Sequence, residues 1–193
     1  FMALDFENIK NKLKKMLKLS RYEHVLRVNE TALKLNRDLG LNIDEEKIQY
    51  SCLLHDCAKN NEEYYFEMYK EKYNLIKKEI FRLPLLAHTI LGPIVAKEEY
   101  GIEDKEILDA IRWHTTGKEN MTPLEKLVFI ADYIEPGRSF ETVDEVRKKV
   151  YENFDLGILL SLNNQIKYLI SINAIIDLNT IEARNYLQRS INE

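Results

Sequence analysis

The sequence predicts an all-α protein, a bundle of roughly ten helices in one domain over residues 1–193. A chain of 193 residues suits one domain with a substantial core. Only 6 glycines and 4 prolines are present, so tight turns are scarce and all-β folds are disfavoured. Helix-start signals recur along the chain, and no segment has a convincing strand pattern. Together these observations favour helices throughout.

Helix starts are marked by residues that cap an N-terminus or suit a first turn. Residues 6–17 carry apolar side chains at helical spacing and predict an amphipathic first helix that ends near Ser20. Ser20-Arg21-Tyr22-Glu23 has the pattern of a capping box and predicts the second start, and Gly40 ends that helix. The later starts are expected at Asp44, Glu62, Pro84, Pro93, Asp104, Thr122, Thr142 and Asn179.

Three of these boundaries bear on function. The helix that begins after Asp44 is expected to run to residues 60–61 and to carry Cys52 and Cys57, whose directions differ too much for a disulfide. Gly92-Pro93 is expected to end one helix and begin another. Residues 122–125, Thr-Pro-Leu-Glu, are the strongest start signal and open a helix that bears Asp132.

Charge and hydropathy exclude several classes of protein. The formal net charge of −4 argues against a general nucleic-acid binder, so an anionic ligand would need locally placed cations. The longest weakly polar stretch, 83–96, is 14 residues long and too short to span a bilayer. The N-terminal residues lack the basic-then-apolar order of a secretory signal. We expect a cytoplasmic protein without a membrane span.

The strongest chemical signal is a set of histidines and aspartates on inward-facing positions. The four histidines of the chain are His24, His55, His88 and His114. One buried histidine is usually a core residue, but four beside Asp56 and Asp132 favour a metal site. Asp132 lies among apolar residues, where an uncompensated carboxylate is costly, although a buried arginine or a helix cap would also satisfy it. Imidazole and carboxylate donors without thiolate suit iron, manganese, zinc or nickel.

The order His24, His55-Asp56, Asp132 resembles the signature of the HD-domain metal-dependent phosphohydrolases, an all-helical superfamily. Three strings are similar to the YqeK-type branch, the bacterial symmetrical diadenosine-tetraphosphatases: LLHDCAK at 53–59, AIRWHTTGK at 110–118 and ADYIEPGR at 131–138. The resemblance covers residues 20–189. It implies an HD-domain helical bundle.

The resemblance also implies a metal-ligand set. It makes His24, His55, Asp56 and Asp132 ligands of one divalent or trivalent transition-metal ion, and it implies iron. Two roles stay open for His88 and His114, which either complete a second metal site bridged by Asp56 or contact phosphate as hydrogen-bond donors. One or two ions are therefore expected.

The reaction implied is hydrolysis of diadenosine tetraphosphate to two ADP by metal-activated water. Asp56 and Lys59 are the expected catalytic residues, because Lys59 follows Asp56 by three on one helical face. Phosphate is expected to contact Arg21, Lys59, His88, His114, Thr115 and Arg138. For the arginines the alternative is an ordinary surface ion pair, and for residues 115–117 it is a helix-ending turn.

Other functions remain open at this level. The chain could be another HD-type nucleotide phosphohydrolase, a nucleotidase or a pyrophosphohydrolase, or a non-catalytic metal- and nucleotide-binding module. Residues 115–118, Thr-Thr-Gly-Lys, lack the spacing of a P-loop. Arg184 and Asn185 are candidate nucleoside contacts. Exposed apolar residues in the Tyr-rich segment 62–73 leave a homodimer open.

Overall fold

The computed structural model describes residues 5–192, and within them it is helical, with no strand. Eleven α-helices are present in that range, which confirms the all-α prediction. A 3-10 turn, Pro84–Leu86, precedes the sixth helix. The helices are α1 Phe6–Met16, α2 Leu19–Asp38, α3 Glu45–Leu54, α4 Glu62–Tyr69, α5 Lys77–Ile80, α6 Ala87–Tyr100, α7 Lys105–Trp113, α8 Pro123–Ile134, α9 Val143–Glu152, α10 Phe154–Ser171 and α11 Leu178–Asn192.

Three predicted N-caps are confirmed by side-chain hydrogen bonds. The carboxylates of Asp44 and Asp104 accept backbone N–H groups in the first turns of α3 and α7. At α8 the capping box is complete: the Thr122 hydroxyl accepts from the Glu125 N–H, and the Glu125 carboxylate accepts from the Thr122 N–H. These starts depend on local chemistry, so the sequence is sufficient to place them.

Two predicted caps are wrong. The Ser20 capping box does not form, because α2 begins at Leu19 with Lys18 at its N-cap and no side-chain bond. Only Leu17 and Lys18 separate α1 from α2, so the chain re-enters a helix before Ser20 is reached. Asn179 is not the cap of α11 either, because the Asp177 carboxylate accepts the Asn179 N–H at 2.9 Å.

Helix α3 ends at Leu54, six residues earlier than the prediction of an end near residue 60. The cause is the side chain of His55, whose Nδ1 bonds the Cys52 carbonyl at 2.7 Å. That carbonyl would accept the Asp56 N–H if the helix continued. Residues 55–60 form turns instead, and Cys57 therefore lies outside α3. Both cysteines are buried free thiols, as expected.

Helix α6 continues through Gly92-Pro93, so the predicted break there is wrong. Gly92 lies where α6 meets α7, and a Cβ at Gly92 would lie 3.0 Å from Cγ2 of Ile111. Because residue 92 is glycine, α6 can pack closely against α7. We attribute the continuity of α6 to this packing, which outweighs the ~3 kcal/mol that a proline costs inside a helix. The result is one long helix that carries His88 in its first turn.

The helices that carry the predicted ligands are packed into two hydrophobic clusters. One cluster joins α1, α4 and α6, and the other joins α8, α9, α10 and α11. Helices α2, α3 and α7 contribute to both, through neighbouring residues such as Val25 and Val28 on α2. The predicted ligands are therefore held by packed elements rather than by surface loops.

Helix α4 buries Tyr65, Phe66 and Tyr69 and exposes Tyr64 and Met68. The Tyr-rich segment thus packs through its aromatic rings as expected, and the homodimer stays a prediction. The single domain and the cytoplasmic location stay predictions as well. Among residues 5–192, none of the helices combines the length and the apolar composition that a membrane crossing needs.

Candidate metal centre

Six side chains from five separate parts of the fold meet in one buried cluster, called the His/Asp cluster below. Its members are His24 of α2, His55 and Asp56 after α3, His88 of α6, His114 after α7 and Asp132 of α8. Three overlapping triads offer ligand atoms that all lie within 4.8 Å of one another: His24, His55 and Asp56; His55, His114 and Asp132; Asp56, His88 and His114. The sequence-predicted ligands are therefore brought together.

Asp56 is the centre of the cluster, because its two oxygens face different histidines. Oδ2 lies 3.4 Å from Nε2 of His55 and 3.8 Å from Nε2 of His24. Oδ1 lies 3.3 Å from Nε2 of His88 and 3.5 Å from Nε2 of His114. A carboxylate in this position can serve one ion through Oδ2 alone or bridge two ions.

Asp132 completes the Oδ2 side. Its Oδ1 lies 2.9 Å from Nε2 of His24 and 3.8 Å from Nε2 of His55. On this side two imidazoles thus lie within 2.9–3.8 Å of oxygens from two carboxylates. The structure contains no thiolate in this arrangement, because the buried Sγ of Cys57 contacts the Gly92 carbonyl at 3.5 Å instead.

Three of the four imidazoles have the tautomer of a metal ligand. Their Nδ1 atoms each lie against an acceptor oxygen: Glu135 Oε1 at 3.1 Å for His24, the Cys52 carbonyl at 2.7 Å for His55, and the Ile111 carbonyl at 2.8 Å for His114. An acceptor at Nδ1 fixes the proton there and leaves the Nε2 lone pair free.

The free Nε2 lone pairs indicate whether the cluster suits a cation. Nε2 of His24 and Nε2 of His55 are 3.3 Å apart and both face the carboxylates of Asp56 and Asp132. Acceptor atoms that face one another without a proton between them repel, and a cation at their common point removes the repulsion. The donor set therefore fits a transition-metal ion.

His88 differs from the other three. Its Nδ1 lies 3.0 Å from Nζ of Lys59, and an ammonium group only donates. The proton of the neutral ring is therefore on Nε2, directed at Asp56 and His114. Burial and the neighbouring His114 lower the pKa of His88 to about 2, so the ring stays neutral. Burial also lowers the pKa of Lys59. This arrangement gives His88 the tautomer of a hydrogen-bond donor.

Both cluster carboxylates are ionised. Burial opposes ionisation of Asp56, but His55 and His114 hold its pKa well below the usual range. Burial likewise opposes ionisation of Asp132, and the neighbouring His24, His55 and Arg138 side chains lower its pKa. Two arginines compensate the charge: Nη1 of Arg21 lies 2.8 Å from Asp56 Oδ2, and Nη2 of Arg138 lies 2.7 Å from Asp132 Oδ1.

A cavity of about 470 Å³ opens onto the cluster. Its volume lies within the ~300–1,000 Å³ that is typical of small-molecule sites. The lining includes each predicted phosphate contact, namely Arg21, Lys59, His88, His114, Thr115 and Arg138. The cations that an acidic protein needs for an anionic ligand are therefore concentrated at this site.

Some predicted contacts are not brought to the cavity. The Gly117 N–H donates to the Trp113 carbonyl at 2.9 Å and so is not available to phosphate. Arg184 and Asn185 lie on α11, where they bond to each other and Arg184 also bonds Asn163. Neither residue lines the cavity. The nucleoside contact predicted for them is therefore not supported.

Glu135 was missed by the sequence analysis. It is 2% exposed, it bonds Nδ1 of His24, and its Oε2 lies 2.6 Å from Nε of Arg27. Burial opposes its ionisation, but the bonds from Arg27 and the Gly137 N–H lower its pKa to about 2. The sequence signal that could have identified Glu135 is its position three residues after Asp132, because this spacing places the two carboxylates on the same side of the end of α8.

A Glu135→Gln variant is expected to bind metal about 10–100-fold more weakly, because it loses the charge that orients and polarises His24. The measurement is competition with a chromophoric chelator. Glu141→Gln, on an exposed residue, is the matched control and should bind metal as the unaltered protein does. Equal affinities for the two variants would show that Glu135 does not support a ligand.

Comparison with known proteins adds independent information. Residues 21–137 match the HD-domain family model. The chain is 37% identical to a symmetrical bis(5'-nucleosyl)-tetraphosphatase of Halalkalibacterium halodurans, over 86% of this chain and 88% of that protein. It is 35% identical to the protein of the same name from Staphylococcus aureus, over 97% of this chain and 96% of that protein.

A solved structure shares the whole fold. It is described as a predicted HD superfamily hydrolase involved in NAD metabolism, from Clostridium acetobutylicum, and it has a TM-score of 0.87 and 41% sequence identity to this chain. The superposition covers 96% of this chain and 98% of that chain.

Proposed function

This chain belongs to the HD-domain family, and from that premise we propose that it is a symmetrical bis(5'-nucleosyl)-tetraphosphatase that hydrolyses diadenosine tetraphosphate to two ADP. The observation that carries the proposal is the cavity in which a His/Asp cluster adjoins three cationic side chains, Arg21, Lys59 and Arg138. A polyphosphate needs both features, because its charge must be neutralised and its phosphorus exposed to attack.

The proposed ligands of the catalytic ion are His24, His55, Asp56 and Asp132. His114 and Oδ1 of Asp56 are the proposed ligands of a second ion. Iron is the proposed metal, because the resemblance to the HD-domain phosphohydrolases implies it; imidazole and carboxylate donors suit manganese, zinc and nickel equally. A bound ion of this kind brings the pKa of a coordinated water toward neutrality and withdraws charge from a phosphoryl oxygen.

The arginines hold the polyphosphate. Arg21 donates to Asp56 through Nη1 only, and Arg138 donates to Asp132 through Nε and Nη2. Each guanidinium group therefore keeps N–H groups that can bind phosphate. Planar forks of this kind match phosphate oxygens in pairs. Thr115 lines the same cavity and adds a hydroxyl donor.

Lys59 and His88 control protons beside the cluster. The N–H at Nε2 of His88 can donate a hydrogen bond to a phosphoryl oxygen, and Lys59 keeps the proton on Nε2 by donating to Nδ1. The lowered pKa of Lys59 also suits proton transfer to the terminal phosphate oxygen of the departing ADP. Asp56 faces all four cluster histidines, so its role is to fix the two sides of the cluster relative to each other.

Product identification tests the proposed function. Metal-loaded protein is incubated under reducing conditions with diadenosine tetraphosphate, with NAD and with nucleoside monophosphates, and the products are separated by anion exchange. We expect two ADP per dinucleotide. AMP with ATP, or cleavage of NAD or of monophosphates while the dinucleotide stays intact, would favour a different HD-type nucleotide hydrolase. No turnover of any substrate would indicate a metal- and nucleotide-binding module.

A further inference from the structure

Two short segments give the cavity apolar walls as well. One wall is the turn Leu83–Leu86, and the other is formed by Leu169 of α10 with Ala174 and Ile175 of the segment that leads to α11. Leu85 is 81% exposed and Ile175 is 76% exposed. Large apolar side chains grouped around a concave surface mark a place where a ligand or partner covers them.

A few polar groups interrupt this apolar surface. Gln165 donates from Nε2 to the Thr115 carbonyl at 3.0 Å, which leaves its own carbonyl as an acceptor. Oδ2 of Asp177 lies 3.8 Å from Nη2 of Arg82, so an ion pair joins the two walls. Apolar walls with a small number of fixed polar groups are the usual composition of a site for a flat heteroaromatic ring.

We propose that this apolar surface is a nucleoside subsite, in which the base of one half of the substrate lies between Leu85 and Ile175. The inference rests on the proposed function. The occupant follows from continuity, because the same cavity holds Arg21 and Lys59, which bind the phosphates attached to that nucleoside. The two halves of the dinucleotide are then held unequally, and the second nucleoside lies beyond this subsite.

The neighbouring surface supplies a control. Leu178, the first residue of α11, is 73% exposed and lies three residues after Ile175, but it does not line the cavity. Both positions are open to solvent, so a substitution at either one leaves the core intact. An Ile175→Ser and Leu178→Ser pair therefore separates contact with the cavity from general loss of surface hydrophobicity.

The experiment measures binding of ADP and of inorganic pyrophosphate to the metal-loaded full chain by calorimetry. We expect Ile175→Ser to weaken ADP binding about tenfold and to leave pyrophosphate binding unchanged, because only ADP carries a nucleoside. Leu178→Ser should bind both probes as the unaltered protein does. Gel filtration of all three proteins accompanies the titrations.

Each alternative outcome overturns the proposal in a recognisable way. Equal ADP affinities for the two variants would exclude the subsite even if the protein releases two ADP from the dinucleotide. Equal weakening of ADP and pyrophosphate would place Ile175 against the phosphates. A change in oligomeric state on Ile175→Ser with unchanged ADP affinity would make the surface an interface between two copies. Loss of ADP affinity alone would support the subsite even if the hydrolysis test failed.

Discussion

An Asp56→Asn variant is expected to lose hydrolysis of diadenosine tetraphosphate by about 10³-fold while it stays folded. The amide keeps the shape of the side chain but removes its charge. All four cluster histidines face an Asp56 oxygen at 3.3–3.8 Å, so the loss affects both sides of the cluster. The Arg21 contact to Oδ2 is weakened as well.

Steady-state kinetics of the purified variant, with circular dichroism as the folding check, gives this measurement. Asp144→Asn is the matched control, because its side chain is 88% exposed and belongs neither to the cluster nor to the cavity lining. We expect the control to keep full activity. Wild-type turnover in Asp56→Asn would remove Asp56 from the catalytic centre.

The second large effect concerns heat stability. Metal bound at 100 times its dissociation constant stabilises the folded state by ~2.7 kcal/mol, which for a chain of this size corresponds to ~5–10 °C in melting temperature. We expect a chelator to lower the melting temperature of the unaltered protein by that amount. His55→Ala and Asp132→Ala should melt lower and should not respond to the chelator, because assembly of the site is coupled to the packing of α2, α3 and α8.

Thermal melts of the three proteins with and without chelator measure this coupling. Each protein serves as its own control, because the general cost of a substitution in the interior is present in both conditions. A chelator shift of the same size in both variants and in the unaltered protein would contradict the assignment of His55 and Asp132.

The sequence is a good guide where structure depends on neighbouring residues. Asp44, Asp104 and Thr122 cap helices through bonds to backbone groups two or three positions away, and such bonds need no other part of the fold. The resemblance to the HD-domain phosphohydrolases also predicted that His24 and Asp132 would meet. The contact itself depends on the tertiary structure, but a metal site requires its ligands to be close together whatever the fold.

The sequence is a poor guide where distant contacts decide the outcome. Helix α6 passes through Pro93 because Gly92 admits α7. The end of α3 at Leu54 is an exception, because the bond of the His55 ring to the Cys52 carbonyl is local and was missed all the same. The apolar walls of the cavity come from residues 83–86 and 169–175, which share no local pattern. Glu135 is only three residues after Asp132 in the sequence, but its role as a hydrogen-bond partner of His24 is visible only from its burial beside that ring.

The metal content of the purified proteins tests the central claim most directly. Elemental analysis of the unaltered protein should find one or two transition-metal ions per chain. His55→Ala and Asp132→Ala should each hold clearly less metal, whereas Asp144→Asn should hold as much as the unaltered protein. Unchanged metal in both ligand variants would contradict the account, because an ion that survives both losses is held elsewhere in the molecule.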